Sequence, residues 1–155
     1  MKRLLIAAVF LAAFKAPAAA DFADGLAAYD GGDYATALEE WRALAVGGDA
    51  TAQAALAGLY RFGQGVVEDH ARAAAWYRRA AAQGGATAQL NLGDMYADGV
   101  GVGRDLVQAY LWLSLAAAQG RSWAARRRDQ IADEMCAAEV AAAEALVRDW
   151  EAKAE

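Results

Sequence analysis

The sequence predicts an all-α fold of about eight helices, stacked in pairs. Alanine, the best helix former, supplies 45 of the 155 residues, and the single proline, Pro17, lies near the N-terminus. A segment of 36 residues is repeated without a gap, since 17 positions are identical between 50–85 and 86–121. A unit of that length buries its apolar face only against its neighbours, so the repeat predicts a stack of helix pairs.

The first twenty residues are typical of an export signal. Two basic residues open the segment, an apolar run follows from 4 to 14, and three alanines before Asp21 supply a small-residue cleavage pattern. As a helix the apolar run reaches about 16 Å, well short of the ~30 Å hydrocarbon core of a membrane. We therefore expect a signal peptide, 1–20, cleaved after Ala20, and an exported protein, periplasmic or secreted, with no membrane attachment after cleavage. The alternative is a short N-terminal anchor that is never cut.

Residues 22–48 predict a short, divergent first helix pair. Apolar residues at helical spacing mark a first helix, and the Gly31-Gly32-Asp33 turn separates it from a second helix that ends near Gly47.

Each of the two repeats predicts two further helices. Apolar residues recur on one face of the first helix, and paired glycines end it because they accept the positive φ of a tight reversal. An aspartate then stands where a carboxylate can accept a free backbone N–H at the start of the second helix. The aromatic residues recur at repeat spacing and are therefore expected in the core, together with Trp41. The residues that carry this signature are Leu56, Tyr60, Gly63, Gly65, Asp69 and Trp76, then Leu92, Tyr96, Gly99, Gly101, Asp105 and Trp112.

Residues 122–155 predict two capping helices, over about 122–135 and 137–153, that are polar outside and apolar inside. The basic run Arg126-Arg127-Arg128 is expected to be compensated by acidic residues that follow it at helical spacing, Asp129, Asp133 and Glu134.

The repeated pattern resembles the Sel-1-like repeat, a relative of the tetratricopeptide repeat. The resemblance rests on the Tyr-x-x-Gly-x-Gly-Val turn, the aspartate after it, and the Ala-x-x-Trp-x-x-x-Ala-Ala-x-Gln-Gly end, within 52–84 and 88–120. Residues 22–48 resemble a tetratricopeptide-type hairpin more generally. Ala57 departs from the usual family glycine, which Gly93 keeps, but both are small enough for close helix packing. The resemblance implies a single right-handed α-solenoid over 21–155.

The resemblance also implies a non-catalytic interaction module in the cell envelope, which binds a protein or peptide on a concave face formed by the first helix of each pair. On those helices, polar positions off the apolar stripe are the expected partner-binding residues: Gln53, Arg61, Gln89, Asn91, Asp94 and Asp98. Two alternatives stay open. One is a β-lactamase-like hydrolase, since some cysteine-rich relatives are linked to β-lactam binding or hydrolysis, although this chain has one cysteine only. The other is a self-associating structural unit.

Charge and motifs exclude several function classes. Without the leader, 12 basic and 20 acidic residues leave a net charge of −8, which is unsuited to nucleic acid or an anionic membrane surface. His70 is the one histidine and no Gly-x-Ser-x-Gly motif is present, so catalysis is not expected. Cys136 is expected to be buried, and the alternative is an intermolecular disulfide in an oxidising compartment.

The remaining motifs predict no cofactor and no metal. The Gly-x-Gly pairs lack the Lys-Ser/Thr of a phosphate loop, and carboxylates at i,i+4, such as Asp94 and Asp98, are more typical of a solvated face. We expect a monomer or a weak homo-oligomer.

Overall fold

The structure, a computed structural model, describes residues 20–154, so the predicted signal peptide lies outside the described residues except for Ala20. This part of the chain is 76% helical and contains eight helices and no strand, which confirms the predicted all-α solenoid class. The helices are α1 (Phe22–Asp30), α2 (Tyr34–Val46), α3 (Ala50–Phe62), α4 (His70–Ala82), α5 (Ala86–Asp98), α6 (Leu106–Ala118), α7 (Ser122–Ala132) and α8 (Ala137–Ala154).

The first six helices form three stacked hairpins. Helix α1 packs on α2, α3 on α4, and α5 on α6, while α2–α3 and α4–α5 contacts join one hairpin to the next. Helix α7 continues the stack by packing on α6 and α5. Helix α8 then packs on α6 rather than pairing with α7, so the last two helices do not close into a fourth hairpin.

Aspartates start five of the eight helices. The carboxylate of Asp69 accepts the backbone N–H of Arg72 at 2.9 Å, and that of Asp105 accepts the N–H of Gln108 at 3.0 Å. These bonds satisfy backbone donors that the first helical turn leaves unpaired. The five capping residues are Asp21, Asp33, Asp49, Asp69 and Asp105.

The core is built of small and aliphatic side chains between the two helix layers. Leu56 and Leu92, which occupy the same position in the two repeats, are fully buried, and alanines fill most of the remaining core positions. Trp41, Tyr60 and Trp112 are also buried. Alanine allows the backbones of neighbouring helices to approach closely, which explains how a chain with so few large aliphatic residues packs a continuous core.

Trp76 and Tyr96 are only partly buried, so the prediction that every repeated aromatic lies in the core is too strong. Arginines of α4 cover their outer sides. The guanidinium of Arg79 lies 4.6 Å from the centre of the Trp76 ring, and Arg78 donates to the Tyr96 hydroxyl at 2.9 Å. Both rings therefore lie at the edge of the core, where a cation replaces a further apolar layer.

Two glycines allow each repeat to contact the preceding hairpin. Gly65 and Gly101 have φ of 69° and 71°, and a Cβ at either position would overlap a backbone carbonyl oxygen, of Tyr34 and of His70 respectively. Tyr34 and His70 are each the first residue of a second helix. The loop between the two helices of one hairpin therefore lies against the second helix of the hairpin before it.

The turn between α7 and α8 differs from its prediction. Helix α7 ends at Ala132 rather than near Met135, and Cys136 is exposed, so the prediction that it is buried is wrong. The reason is that α8 packs on α6, which leaves the α7–α8 turn with no helix over it.

Candidate functional site

Polar side chains connect helices α3, α5 and α7. We term the surface of α1, α3, α5 and α7 the first-helix face. Arg61 of α3 donates to the side-chain amide oxygen of Asn91 at 2.7 Å and lies 3.8 Å from the Asp94 carboxylate, both on α5. Arg127 of α7 donates to Asp94 at 3.2 Å and to Asp98 at 2.5 Å. These five residues, which we term the arginine–carboxylate network, place two guanidinium groups against two carboxylates.

Four of the six predicted partner-binding residues belong to this network. Asp94 and Arg127 are 19% and 22% exposed, so the ion pair is partly shielded from water and can still be reached from outside. Arg127 was not predicted in this role, because its expected partners were acidic residues on its own helix. Its neighbour Arg128 does pair locally with Asp129, at 2.7 Å. The sequence spacing could have indicated this role. Arg127 follows Asp94 by 33 residues, and Asp94 follows its other partner, Arg61, by the same interval.

The other two predicted residues, Gln53 and Gln89, do not lie on the first-helix face. They are 4% and 2% exposed, and the Gln53 amide donates to the Ala45 carbonyl at the end of the preceding hairpin. Gln83 donates in turn to the Gln53 side-chain oxygen at 2.9 Å. The same bonds recur one repeat later around Gln89. Both glutamines are therefore structural links between hairpins, and their assignment to a partner-binding surface is corrected.

Two shallow apolar clefts adjoin along α3 on the first-helix face. The α1–α3 cleft has a volume of about 170 Å³ and the α3–α5 cleft about 220 Å³, and Ala54 lines both. The α1–α3 cleft is lined by Tyr29, Trp41, Ala54, Ala55, Gly58, Leu59, Phe62 and Gln64. The α3–α5 cleft is lined by Ala50, Thr51, Ala54, Gly85, Ala86, Thr87, Ala88 and Arg121.

A larger cleft of about 530 Å³ lies between α6, α7 and α8, where the last two helices diverge. Ser114 lines it, and its hydroxyl oxygen is buried with no hydrogen-bond partner among the described residues. A hydrolase would need an acid or base beside that hydroxyl. Glu144 and Glu151 line the same cleft, whereas His70 does not and lies 3.1 Å from Glu68 instead.

Three titratable side chains have shifted pKa values. Burial raises the pKa of Tyr77, and the positive charge of Arg61 partly opposes that shift. Hydrogen bonds from Thr36 lower the pKa of Asp33, and hydrogen bonds from Cys136 lower the pKa of Glu139. None of these three titratable side chains lines the cleft between α6 and α8.

Two further findings concern residues 20–154 alone. No group of three or more histidine, cysteine, aspartate or glutamate side chains in this range is arranged to hold a metal ion. None of the helices in it combines the length and the apolar character that crossing a membrane requires.

Comparison with known proteins identifies the repeated unit. The family model described as Sel1 repeat matches residues 50–85 and 86–120. This chain carries two Sel1 repeats. Such repeats generally form non-catalytic scaffolds that mediate protein–protein interaction. No match is found among the curated proteins.

Two solved structures resemble the Sel1-repeat chain over most of its length. One is c5321, a protective antigen present in uropathogenic Escherichia coli strains and displaying an SLR fold, with 32% identity over 81% of this chain and a TM-score of 0.77. The other is a Sel1 repeat protein from Oxalobacter formigenes, with 31% identity over 74% of this chain and a TM-score of 0.68. This chain spans 28% and 47% of their respective lengths.

Proposed function

We propose that this Sel1-repeat chain is an exported, non-catalytic interaction module of the cell envelope that binds a protein or peptide on its first-helix face. The observation that carries the proposal is the juxtaposition of two adjoining apolar clefts and the arginine–carboxylate network on that face. Apolar clefts favour burial of partner side chains, and partly exposed charges beside them supply orientation and specificity.

The network also gives the face a defined geometry. Arg61 of α3 and Arg127 of α7 each pair with one of the two carboxylate oxygens of Asp94 on α5. Both helices are thereby held against α5. A surface whose helices are already held in place loses less conformational freedom on binding, which favours affinity. The network therefore supports a preformed binding face.

The export part of the proposal rests on the leader. The N-terminus of the protein recovered from the periplasm or medium is expected at Asp21, and sequencing of that terminus tests cleavage after Ala20. Recovery of the uncut chain in the membrane fraction would contradict it and favour the anchor alternative.

Charge reversal on the first-helix face tests the binding surface. The purified protein is used to capture partners from the extracytoplasmic extract, in parallel with Arg61→Glu and Asp94→Arg. Both reversals are expected to weaken capture while leaving the helical circular dichroism unchanged. Arg42→Glu is the control, because Arg42 is exposed on α2, a second helix, and forms no ion pair with another described residue.

The reversals also distinguish binding from folding. A double variant that exchanges the two charges, Arg61→Asp with Asp94→Arg, restores an ion pair across α3 and α5 but changes the surface that a partner meets. Capture that survives both single reversals and the exchange would place the binding site elsewhere.

A further inference from the structure

The α1–α3 cleft has the size and lining of a socket for one apolar side chain. Its lining combines the aromatic side chains of Tyr29, Trp41 and Phe62 with the small residues of α3, Ala54, Ala55 and Gly58. A Cβ added at Gly58 would meet only the Tyr77 hydroxyl, at 3.8 Å, so these small residues leave open space. The volume of about 170 Å³ is on the scale of one leucine or phenylalanine.

Large apolar side chains near this cleft are exposed. Phe62 is 64% exposed, and Leu26, one helical turn before Tyr29 on α1, is 44% exposed. Burying such surface is favourable by about 25 cal/mol per Å². A partner that covers these side chains would remove their apolar surface from water, which stabilises the complex.

The α1 side of the cleft is acidic. Helix α1 and the turn after it, residues 22–33, contain three acidic residues, Asp24, Asp30 and Asp33, and no basic one. Asp30 lies one turn from Leu26 and forms no ion pair with another described residue. Asp33 lies in the turn after α1, and hydrogen bonds from Thr36 lower the pKa of its carboxylate. The α1 side of the cleft is thus negatively charged, while Arg61 lies beside Phe62, with its guanidinium 5.5 Å from the centre of that ring.

We propose that the α1–α3 cleft binds a cationic segment of a partner protein, in which a leucine or an aromatic side chain enters the cleft and adjacent lysine or arginine side chains face Asp30. This inference rests on the proposed function and names the chemistry of the partner. Opposite charge steers the segment to the acidic α1 side of the cleft, and the apolar side chain supplies most of the affinity. Nucleic acid and anionic membranes carry the wrong charge for this surface.

Three synthetic peptides test the proposal by isothermal titration against the full chain. The first carries Leu-Phe between two Lys-Lys pairs, the second replaces the lysines by glutamates, and the third replaces Leu-Phe by Ala-Ala. We expect the first to bind at least about ten-fold more tightly than either of the others, and to weaken as salt is raised. Equal binding of the first two peptides would overturn the charge assignment, and equal binding of the first and third would overturn the role of the cleft.

Matched variants locate the site. Ala55→Leu fills the cleft and Asp30→Lys reverses the charge beside it, and each is expected to weaken the Leu-Phe lysine peptide by about ten-fold. The controls are Ala75→Leu and Glu39→Lys, which make the same changes at exposed positions of the second helices α4 and α2. Equal weakening by variants and controls would contradict the assignment.

Failure of this inference is distinguishable from failure of the proposed function. If Arg61→Glu and Asp94→Arg abolish partner capture while Ala55→Leu and Asp30→Lys do not, the first-helix face binds the partner but the α1–α3 cleft does not. The cleft could also be occupied by a second copy of the chain, which analytical ultracentrifugation of the protein without peptide tests. A dimer that Leu26→Ser dissociates would show that a second copy covers the cleft, and would overturn the proposal.

Discussion

The two Sel1 hairpins and the C-terminal helix pair are held in place by different kinds of contact. In the Sel1 hairpins, buried glutamines bond to the ends of second helices, and Gly65 and Gly101 allow loops to touch the hairpin before. Helix α7 is instead joined to α5 by Arg127, whose ion pairs with Asp94 and Asp98 are partly exposed. Helix α8 packs on α6, where the Trp150 ring lies 5.0 Å from the ring of Trp112.

This difference shows what the periodic residues accomplish. Polar bonds and close backbone approaches depend on position, so they determine which two helices pair and in what register. An apolar contact such as that between Trp112 and Trp150 depends much less on position. A helix without the periodic residues therefore packs wherever apolar surface is available, and α8 does so on α6.

The largest expected effect is that of Gly101→Ala. Alanine at a φ of 71° is strained, and its Cβ would overlap the His70 carbonyl, so the free energy of unfolding should fall by about 3 kcal/mol. Urea denaturation measures the change. The control, Gly103→Ala, lies two residues away with no atom within 4 Å of an added Cβ, and should change stability by less than about 1 kcal/mol. Equal effects would mean that the close approach does not hold the hairpins together.

A smaller loss is expected for Gln89→Ala. The substitution removes the donor to the Ala81 carbonyl and the acceptor for Gln119 inside the protein, which should cost about 2 kcal/mol. Gln130→Ala, at an exposed position of α7, should cost less than about 0.5 kcal/mol. Hydrogen exchange adds a local test, since faster exchange in the Gln89 variant should appear first at the α4–α5 junction. If the two variants unfold at the same urea concentration, buried glutamine does not distinguish the repeats from the C-terminal pair.

The smallest effect is expected for Arg127→Ala. The ion pairs of Arg127 are partly exposed and α7 keeps its buried Ile131, so the loss should be at most about 1 kcal/mol. In the Arg127→Ala variant, hydrogen exchange should become faster within α7 only and stay unchanged in the Sel1 hairpins. Arg126→Ala, on the exposed side of the same helix, is the control. Faster exchange throughout α3 to α6 would show that the network stabilises the stack as well as α7.

Features set by local patterns were predictable from the sequence, and features set by packing between distant helices were not. The bounds of the helices in the two repeats follow from apolar spacing, glycine turns and aspartate caps, all of which are local. The exposure of Cys136 depends on the packing of α8 against α6, and no local pattern specifies that choice. The partners of Arg127 were not predictable from local sequence either, because its nearest acidic residues in sequence are not the ones that it contacts.

The glutamines show a second limit of sequence reasoning. A polar side chain on a helix looks the same whether it meets water or the end of another helix, so Gln53 and Gln89 were predicted to face a partner. One signal pointed the other way, because Gln53 precedes the buried Leu56 by three positions and therefore shares its face. Arg61, Asn91, Asp94 and Asp98 do come together, and their role in binding stays a prediction.

The bonds of the buried glutamines have a consequence for how such a chain can evolve. Gln53 donates to the Ala45 carbonyl and Gln89 to the Ala81 carbonyl, each across a junction between hairpins, and the two bonds are related by the 36-residue period. A tandem duplication of one whole unit would therefore present the same donors and acceptors at each new junction. Length can change in steps of one repeat without any compensating substitution, and each added copy lengthens the first-helix face by one helix. Insertions of any other length would break the register, so selection acts on the number of units rather than on the number of residues.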